Sequence, residues 1–562
     1  MADQASTATW NRWGPIALFA AVEVYAVGFW LHAGRHEWFY LDEWDFLARR
    51  RASHLGDLFR AHNEHWVTIP VLVYRALYST FGLRAYLPYR LVVLVLYLAA
   101  AALLFVVIRR AGVQPWIAAA AASAFALFGP GWENAIKPFQ MTFTGALALG
   151  LLYLILADHD GGFDRRDWFG LGAGLLALMM SGVALTMIAV VGIAVLLRRG
   201  WRLALAHVVP LAGVFAIWVL AFGPAGKVRQ FGPKTSSTLG GDAHFVVTGY
   251  GRAFSNIGHY AALGWVLLAL LVAGGVLAWR QRFGSAEFAQ LAAPTALLVG
   301  SLGYLASTAL GRASFGAGYA GISRHVSLVT AMVLPAVAVA ADAIARVWRY
   351  FVPVVLALLL VGVVGGLRRV DHTQARLDSL YIRTKLTILS VAHDPLARSV
   401  PPTLRPEQLS ARDVTVGWLL QGVHDHRIPA APKLIIVDLR ASSDFRLTFF
   451  QNDDPAPNRI CTKLTRPAFL RLQQDEVIGI YDNPVTIIPL AQPALVGFAP
   501  LFAPREGNAI KVLRPVRPVV INSYGPDPGR VCVAPGRPVP HPYAPGKAPN
   551  EIGRSTPPPD NG

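Results

Sequence analysis

Two short polar segments near the start of the chain combine residue types that could act in catalysis. The first holds three carboxylates, Asp42, Glu43 and Asp45, and the second holds two histidines, His62 and His65. A carboxylate can act as general base on an acceptor hydroxyl when it lies within hydrogen-bond distance. Both segments lie beside apolar stretches, where ionised groups are costly, so they suggest a catalytic site or an ion path. A solvated loop is the simpler alternative.

The two histidines offer a second kind of chemistry. On a helix, His62 and His65 would share one face and could hold a phosphate or a metal ion. Glu64 lies between them and is a further substrate-binding candidate, although it could equally cap a helix or pair with Arg60. A divalent cation such as Mg or Mn is one interpretation of this pair, and ordinary hydrogen bonding is the other. We assign no metal ligands.

Aromatic and basic side chains could complete a substrate site. Trp44 could stack on the apolar face of a sugar ring, although tryptophans at a membrane interface are more often anchors. Two later loops carry groups that could hold the phosphate of a lipid-linked donor, with headgroup snorkelling as the alternative. These groups are Lys137, Gln140, Arg312, Arg324 and His325.

The elements that position these groups are predicted to be membrane helices. The 562 residues are 54% hydrophobic and 15% charged, which is typical of a polytopic α-helical membrane protein. Residues 169–197 would form a helix about 44 Å long, against a hydrocarbon core of about 30 Å, so we expect two short helices meeting near Ser181 and Gly182. About eleven transmembrane helices result. The others are predicted at residues 15–32, 86–108, 115–130, 139–157, 203–222, 258–278, 289–310, 325–345 and 350–367, with 65–80 as an interfacial helix.

Basic residues set the expected orientation and partners. The net charge of +18 comes mainly from arginines that cluster beside the ends of apolar segments, so anionic lipid rather than nucleic acid is the expected partner. The two-helix reading of residues 169–197 puts most arginine pairs on one side, which would be cytoplasmic. The first loop, with Asp42, would then face outward. Abundant Arg, Ala and Gly indicate a bacterial source, and hence a bacterial inner (plasma) membrane.

The C-terminal third has a different pattern. Short apolar runs such as 434–437 and 477–481, separated by Pro, Asp and Asn, predict the strands of an α+β or β-rich soluble domain. With eleven spans this domain is extracytoplasmic, where Cys461 and Cys532 could pair. The predicted parts of the chain are a membrane domain over residues 1–368, the soluble domain over 369–534, and a disordered Pro- and Gly-rich tail over 535–562.

The polar segments resemble those of the GT-C superfamily of polytopic glycosyltransferases, which includes protein mannosyltransferases, aminoarabinose transferases and mycobacterial arabinosyltransferases. Asp42-Glu43 matches the acidic pair of that family's first external loop. His65, followed by Ile69-Pro70, is similar to its downstream His and Pro segment, with Glu64 standing where the family has glycine. Ser323-Arg324-His325 is similar to an arginine-aromatic signature at a late helix.

The resemblance covers the membrane portion and implies transfer of a sugar from a polyprenyl-phosphate donor. The acceptor would be a glycan, lipid or protein of the cell envelope at the outer face of the membrane. Asp42 would act as base in a displacement that inverts the anomeric carbon, with Glu43 or Asp45 orienting the acceptor. The basic candidates would offset charge on the departing phosphate.

Other functions remain open from sequence. A transporter or flippase of lipid-linked saccharides also needs many spans, although transporters usually place charges near the bilayer midplane. A polymerase or ligase of envelope polysaccharide would use external arginines and histidines in a large late loop. A silent scaffold with a binding domain is a third alternative.

Overall fold

The computed structural model describes residues 2–223 and 239–393, the segments 397–398, 402, 405–407 and 410–430, and short strands with their flanks between 447 and 535. It divides into two compact units. Unit 1 comprises Met1–Glu37, Arg50–Arg75 and Leu87–Asp378. Unit 2 comprises Trp38–Arg49, Ala76–Tyr86 and Ser379–Gly562, so it takes two short segments from the first ninety residues.

Helices make up most of the described chain. In chain order they are α1 (Ala2–Ala33), α2 (Leu55–Phe59), α3 (Thr68–Phe81), α4 (Leu87–Arg110), α5 (Pro115–Ala126), α6 (Trp132–Ile136), α7 (Met141–Ala157), α8 (Arg165–Leu178), α9 (Val183–Arg199), α10 (Trp201–Phe222), α11 (Leu239–Ile257), α12 (Ala261–Arg282), α13 (Ala292–Arg312), α14 (Ser323–Val347), α15 (Phe351–His393) and α16 (Val416–His424).

Within the described residues, eight helices are long and apolar enough to cross a membrane. They are α1, α4, α7, α10, α12, α13, α14 and α15. This composition of unit 1 fits a polytopic helical membrane protein. Helix α14 is the central element, because nearly all its side chains are buried and it packs against α11, α12 and α13. Its first turn carries Arg324 and His325.

The chain breaks where the sequence predicted a break in residues 169–197. Helix α8 ends at Leu178 and α9 begins at Val183, with Ser181 and Gly182 in the connection. Both helices are short, at 14 and 17 residues. At its start α8 is capped by Asp164, whose side chain accepts a hydrogen bond from the backbone N–H of Arg166. The prediction of two short helices is confirmed.

Other boundaries differ from the predicted ones. Helix α5 ends at Ala126 rather than near 130, because the Gly129–Gly131 segment forms a separate 3-10 turn. Helix α15 runs on to His393, well past the predicted end at 367. Helix α11 was not predicted. Helix α3 overlaps the predicted interfacial helix at residues 65–80 but ends one residue later, at Phe81.

The described strands all belong to unit 2. They are β1 (Leu447–Gln451), β2 (Ile460–Lys463), β3 (Ala468–Leu470), β4 (Glu476–Tyr481), β5 (Val485–Pro489), β6 (Asn508–Val512), β7 (Val519–Ser523) and β8 (Arg530–Pro535). One antiparallel sheet has the order β1-β6-β4-β8-β2, and a second has the order β3-β7-β5. The predicted strand at 477–481 is β4. The predicted strand at 434–437 and the tail beyond Pro535 lie outside the described residues.

The two cysteines lie opposite each other in the larger sheet. Cys461 of β2 is in register with Cys532 of β8, and the two form a disulfide. The bridge closes a separation of 71 residues, so it links the early and late strands of the domain covalently.

Candidate functional site

The histidine segment forms a tight turn rather than a helix. His62 and His65 exchange both backbone N–H···O bonds, each 2.9 Å long, around Asn63 and Glu64. The central residues have φ of +46° and +72°, as a two-residue hairpin turn requires. The expectation of a shared helical face is therefore corrected. Hydrogen-bonded cross-strand partners project to one side of a hairpin, so the two histidines are still neighbours.

Within unit 1, His65 contacts the break between α8 and α9. The backbone N–H of Gly182 donates to Nδ1 of His65 at 3.2 Å, and the N–H of Ile69 donates to the carbonyl of Met179. The ring of His65 also meets Phe143 edge-on, with 5.7 Å between centroids. The break between the two short helices thus forms one wall of the histidine turn.

Arg312, at the end of α13, reaches the same turn. Its Nη2 lies 3.6 Å from Oε2 of Glu64, a side chain that is 54% exposed. Arg324, at the start of α14, donates to the hydroxyl of Tyr319 at 2.7 Å. Both guanidinium groups act electrostatically on His65. Two arginines from separate helices therefore converge on one histidine.

His325 completes this group. Its Nδ1 lies 2.6 Å from the hydroxyl of Tyr304, in the middle of α13, and its ring lies 5.6 Å from that of Tyr319. His325 also interacts electrostatically with His65 and with both arginines. We call the following four side chains the basic patch. They are His65, Arg312, Arg324 and His325.

Lys137, one of the predicted residues, lies at the edge of the basic patch beside Glu133, which was not predicted. Glu133, in α6, bridges Lys137 and Arg324, with 3.5 Å to Nζ of the lysine and 3.9 Å to Nη1 of the arginine. Lys137 also lies over the ring of Trp132, 4.9 Å from its centroid. The next residue after α6, Lys137, is therefore tied to the patch through a carboxylate.

Several buried polar atoms at this end of the bundle lack hydrogen-bond partners within the described part of the chain. Asn134 donates through Nδ2 to the carbonyl of Arg324, but its Oδ1 accepts nothing there. Gln140 is also buried and its Oε1 is unsatisfied, as is Oγ1 of Thr142. A buried acceptor without a donor costs about 1–3 kcal/mol. These atoms are therefore suited to accept hydrogen bonds from a polar ligand or from water.

The electrostatics of His65 follow from this packing. Burial lowers the pKa of His65 to about 3, and the nearby Arg312, His62 and Arg324 lower it in the same direction. The ring is therefore uncharged at neutral pH. His62 is engaged separately, because Asn63 donates to its Nε2 at 3.0 Å and its ring packs near Phe139.

The acidic segment lies in unit 2. Glu43 is buried there, and its carboxylate accepts from the backbone N–H of Tyr40 at 2.9 Å and from the hydroxyl of Tyr86 at 3.0 Å. Asp42 is 31% exposed and lies 3.4 Å from Nη2 of Arg412. The preceding Leu41 has a φ of +48°, an uncommon conformation for a branched side chain. Of the acidic pair, Asp42 is the carboxylate that can meet a substrate.

The other members of the acidic segment are packed inside unit 2. Trp44 has no exposed surface and meets Trp38 and Trp418 edge-on, which favours a core role over stacking on a sugar. Asp45 is buried near Asp413, and it begins a short π-helix, Asp45–Arg49. Burial raises the pKa of Asp413, Arg49 lowers it and Asp45 raises it further.

One cluster of titratable groups has the spacing of a metal site. His159, Asp164 and Asp167 could each offer a ligand atom, all within 4.8 Å of one another. However, Arg199 holds Asp167 with two hydrogen bonds of 2.6 and 3.0 Å. A guanidinium already supplies the positive charge at this carboxylate, so we assign the cluster to the packing of α8 against α9.

Sequence reasoning missed three contributors to the basic patch. Tyr304 lies eight residues before Arg312, which places both on one face of α13, and this periodicity could have indicated it. Asn134 lies within the polar stretch that supplied Lys137 and Gln140. The sequence predicted Gly182 only as part of the helix break, and its role as a backbone N–H donor to His65 was missed.

Comparison of the chain with protein-family models, with curated proteins and with solved structures finds no match. The family resemblance drawn from the short motifs therefore stays a prediction, and functional argument depends on the geometry of the site itself.

Proposed function

We propose that the chain is an integral membrane glycosyltransferase that moves a sugar from a polyprenyl-phosphate donor to an acceptor of the cell envelope. The observation that carries this proposal is the basic patch. Four side chains that the sequence singled out from three distant segments lie together at one end of the helical bundle. Arginine and uncharged histidine N–H groups are suited to a phosphate oxygen.

The surroundings of the patch support a donor that carries hydroxyl groups. Asn134 and Gln140 are buried, and in the described part of the chain each presents an amide oxygen without a hydrogen-bond donor. Sugar hydroxyls are donors that could satisfy these oxygens. The phosphate of such a substrate would meet the hydrogen-bond donors of the basic patch. Its sugar hydroxyls would meet the amide oxygens of Asn134 and Gln140.

The proposed topology places this end of the bundle outside the cytoplasm of a bacterial cell. The shorter helices α5, α8 and α9 would also cross the membrane, in addition to the eight long ones, which gives eleven spans. The arginine clusters at the opposite ends would then be cytoplasmic. The C-terminal unit with its disulfide would be extracytoplasmic, where disulfides persist.

The proposal keeps Asp42 as the general base on the acceptor. Its partial exposure supports this role over that of Glu43, which is buried and accepts two hydrogen bonds. In direct displacement, the acceptor oxygen bonds to the anomeric carbon, the bond to the phosphate oxygen breaks, and Asp42 receives the hydroxyl proton. The lipid phosphate leaves with the electron pair, and the anomeric centre inverts.

The test is transfer of radiolabelled sugar from a panel of polyprenyl-phosphate sugars to envelope acceptors, in membranes that contain the full chain. Arg312→Gln should lower transfer at limiting donor by about tenfold or more, because one charged hydrogen bond to phosphate is lost. The exposed Arg349, two residues beyond the C-terminal end of α14, provides the control, and the Arg349→Gln protein should transfer normally. Asp42→Asn should abolish transfer while the protein still inserts.

The outcomes separate this proposal from its rivals. If no donor labels any acceptor with wild-type protein, then glycosyl transfer is rejected, and a transporter, flippase or scaffold takes its place. If label appears only as extended polymer or as whole glycan joined to a carrier, then a polymerase or ligase is indicated instead.

A further inference from the structure

The two histidines of the basic patch are each held from one side of the ring. In His65, Nδ1 is the acceptor for the backbone N–H of Gly182. A neutral imidazole carries one proton, so the proton of His65 lies on Nε2. The backbone N–H has no alternative role, because an amide nitrogen only donates. The tautomer of His65 is therefore fixed by the chain itself.

His325 has the matching arrangement. The hydroxyl of Tyr304 lies 2.6 Å from its Nδ1, and a hydroxyl that donates to this nitrogen leaves the ring proton on Nε2. The side chain is only 6% exposed, and among the described residues no partner is found for Nε2. A buried N–H without an acceptor is costly, so this atom is suited to a ligand oxygen.

We infer that Gly182 and Tyr304 fix both histidines of the basic patch as Nε2–H donors, so that the patch binds a phosphate group through hydrogen-bond donors alone. This inference rests on the proposed function only for the source of the phosphate, which is the lipid-linked donor. Gly182 and Tyr304 are positioning residues, since they act on the ligand through the histidines.

The charges around the histidines favour an anion over other ligands. Arg312 and Arg324 face His65, while the carboxylates of Glu64 and Glu133 lie 3.6 and 3.9 Å from these arginines, beyond normal hydrogen-bond length. The guanidinium groups therefore keep N–H donors for a ligand. A phosphate has three or more oxygens that only accept, which matches a set of four donor side chains better than a carboxylate does.

The requirement for glycine at position 182 supports the same arrangement. A Cβ atom at this position would lie 2.7 Å from Nδ1 of His65, closer than any contact allows. Only glycine lets the backbone approach the ring closely enough to donate. The break between α8 and α9 thus has a second role besides ending a helix that would be too long for the membrane.

The inference is tested by binding of polyprenyl monophosphate to the purified full chain in lipid nanodiscs, with polyprenol and inorganic phosphate as the other probes. His65→Gln keeps an amide N–H near the position of Nε2, whereas His65→Asn places its amide near Nδ1. We expect the glutamine variant to bind within about threefold of wild type and the asparagine variant to lose about tenfold or more. Tyr304→Phe should lose several-fold.

A spectroscopic measurement reads the tautomers directly. With 15N-labelled histidine, the signals that disappear in His65→Gln and in His325→Gln should show a protonated Nε2 and a bare Nδ1. Signals of the opposite tautomer, or equal losses of affinity in the two His65 variants, would overturn the inference.

The three probes distinguish failure of the tautomer inference from failure of the proposed function. Tight binding of the polyprenyl phosphate, with correct tautomers but no sugar transfer, would keep the phosphate site and reject the glycosyltransferase. Binding of inorganic phosphate equal to that of the lipid would assign the site to free phosphate. Equal binding of polyprenol and its phosphate would reject the phosphate site.

Discussion

Asp167 and Arg199 join the first turn of α8 to the last turn of α9 through a buried ion pair. The pair has two hydrogen bonds, Nη1 to Oδ1 at 2.6 Å and Nη2 to Oδ2 at 3.0 Å. Oδ1 of Asp167 also lies 3.0 Å from Nε2 of His207 and 3.3 Å from Nε2 of His159. Because this pair lies at the opposite ends of the helices from Gly182, it fixes the hairpin whose break contacts His65.

We therefore predict that Asp167→Asn destabilises unit 1. The substitution leaves Arg199 buried without its anion, which typically costs about 3–5 kcal/mol. Asp160→Asn is the matched control, since Asp160 pairs with Arg198 but its side chain is 81% exposed, and such pairs contribute about 1 kcal/mol or less. Thermal unfolding in detergent measures both. Equal shifts in the two variants would contradict a buried structural role for Asp167.

The adjacent carboxylates Asp42 and Glu43 should differ in their effect on stability, since Glu43 has a structural role and Asp42 a proposed catalytic one. Glu43→Gln weakens acceptance from the backbone of Tyr40 and from Tyr86, so we expect a loss of about 1–3 kcal/mol in stability. Asp42→Asn weakens the partly exposed ion pair with Arg412 and should change stability by about 1 kcal/mol or less. The measurement is the unfolding midpoint of each purified variant. A strongly destabilised Asp42→Asn protein would remove the basis for interpreting its activity as loss of a base.

The lowered pKa of His65 predicts an acid-sensitive fold. Unfolding returns the pKa of this histidine from about 3 toward its ordinary value near 6.5, so the unfolded chain binds an extra proton between these values. Stability contributed by the uncharged ring is complete above pH 6.5 and is lost as the pH falls toward 3. Between pH 7 and pH 5 the loss should reach about 1–2 kcal/mol.

The test compares unfolding midpoints of wild type and His65→Gln at pH 7 and pH 5. Glutamine does not titrate, so the variant should show a smaller drop. The groups that act electrostatically on His65 are Arg312, Arg324 and His62, and all three are present in both proteins. An identical drop in the two proteins would show that His65 does not contribute to acid sensitivity.

How far the sequence predicts this molecule depends on the range of the interactions involved. Hydropathy and the length limit of a bilayer were enough to predict the long helices and the break at Ser181-Gly182. Helix α11 was missed, because its sequence mixes glycines, polar residues and apolar residues, and the surrounding helices supply the packing that stabilises it. Propensity alone does not report such tertiary support.

The candidate site shows the same division. Residue type identified Arg312, Arg324 and His325 as ligands for an anion, and the structure brings them to His65. Residue type could not show that residues 62–65 form a tight turn, because two non-glycine residues adopt positive φ there. Nor could residue type separate Glu43 from Asp42, since Tyr86, which donates to the carboxylate of Glu43, lies 43 residues later in the chain.

Glu64 adopts a strained backbone conformation in the histidine turn. Its φ of +72° is a conformation that glycine adopts readily and that costs other residues about 1 kcal/mol or more. The side chain also lies 3.6 Å from Arg312, where it competes with an anionic ligand. Glu64→Gly should therefore raise the stability of the turn by about 1 kcal/mol relative to Glu64→Ala, since both remove the carboxylate and only glycine relieves the backbone.

Both variants should bind polyprenyl phosphate more tightly than wild type, because Arg312 loses its competing anion. Unfolding midpoints and binding isotherms of the three proteins provide the measurement, and weaker phosphate binding in both variants would instead make Glu64 part of the binding site.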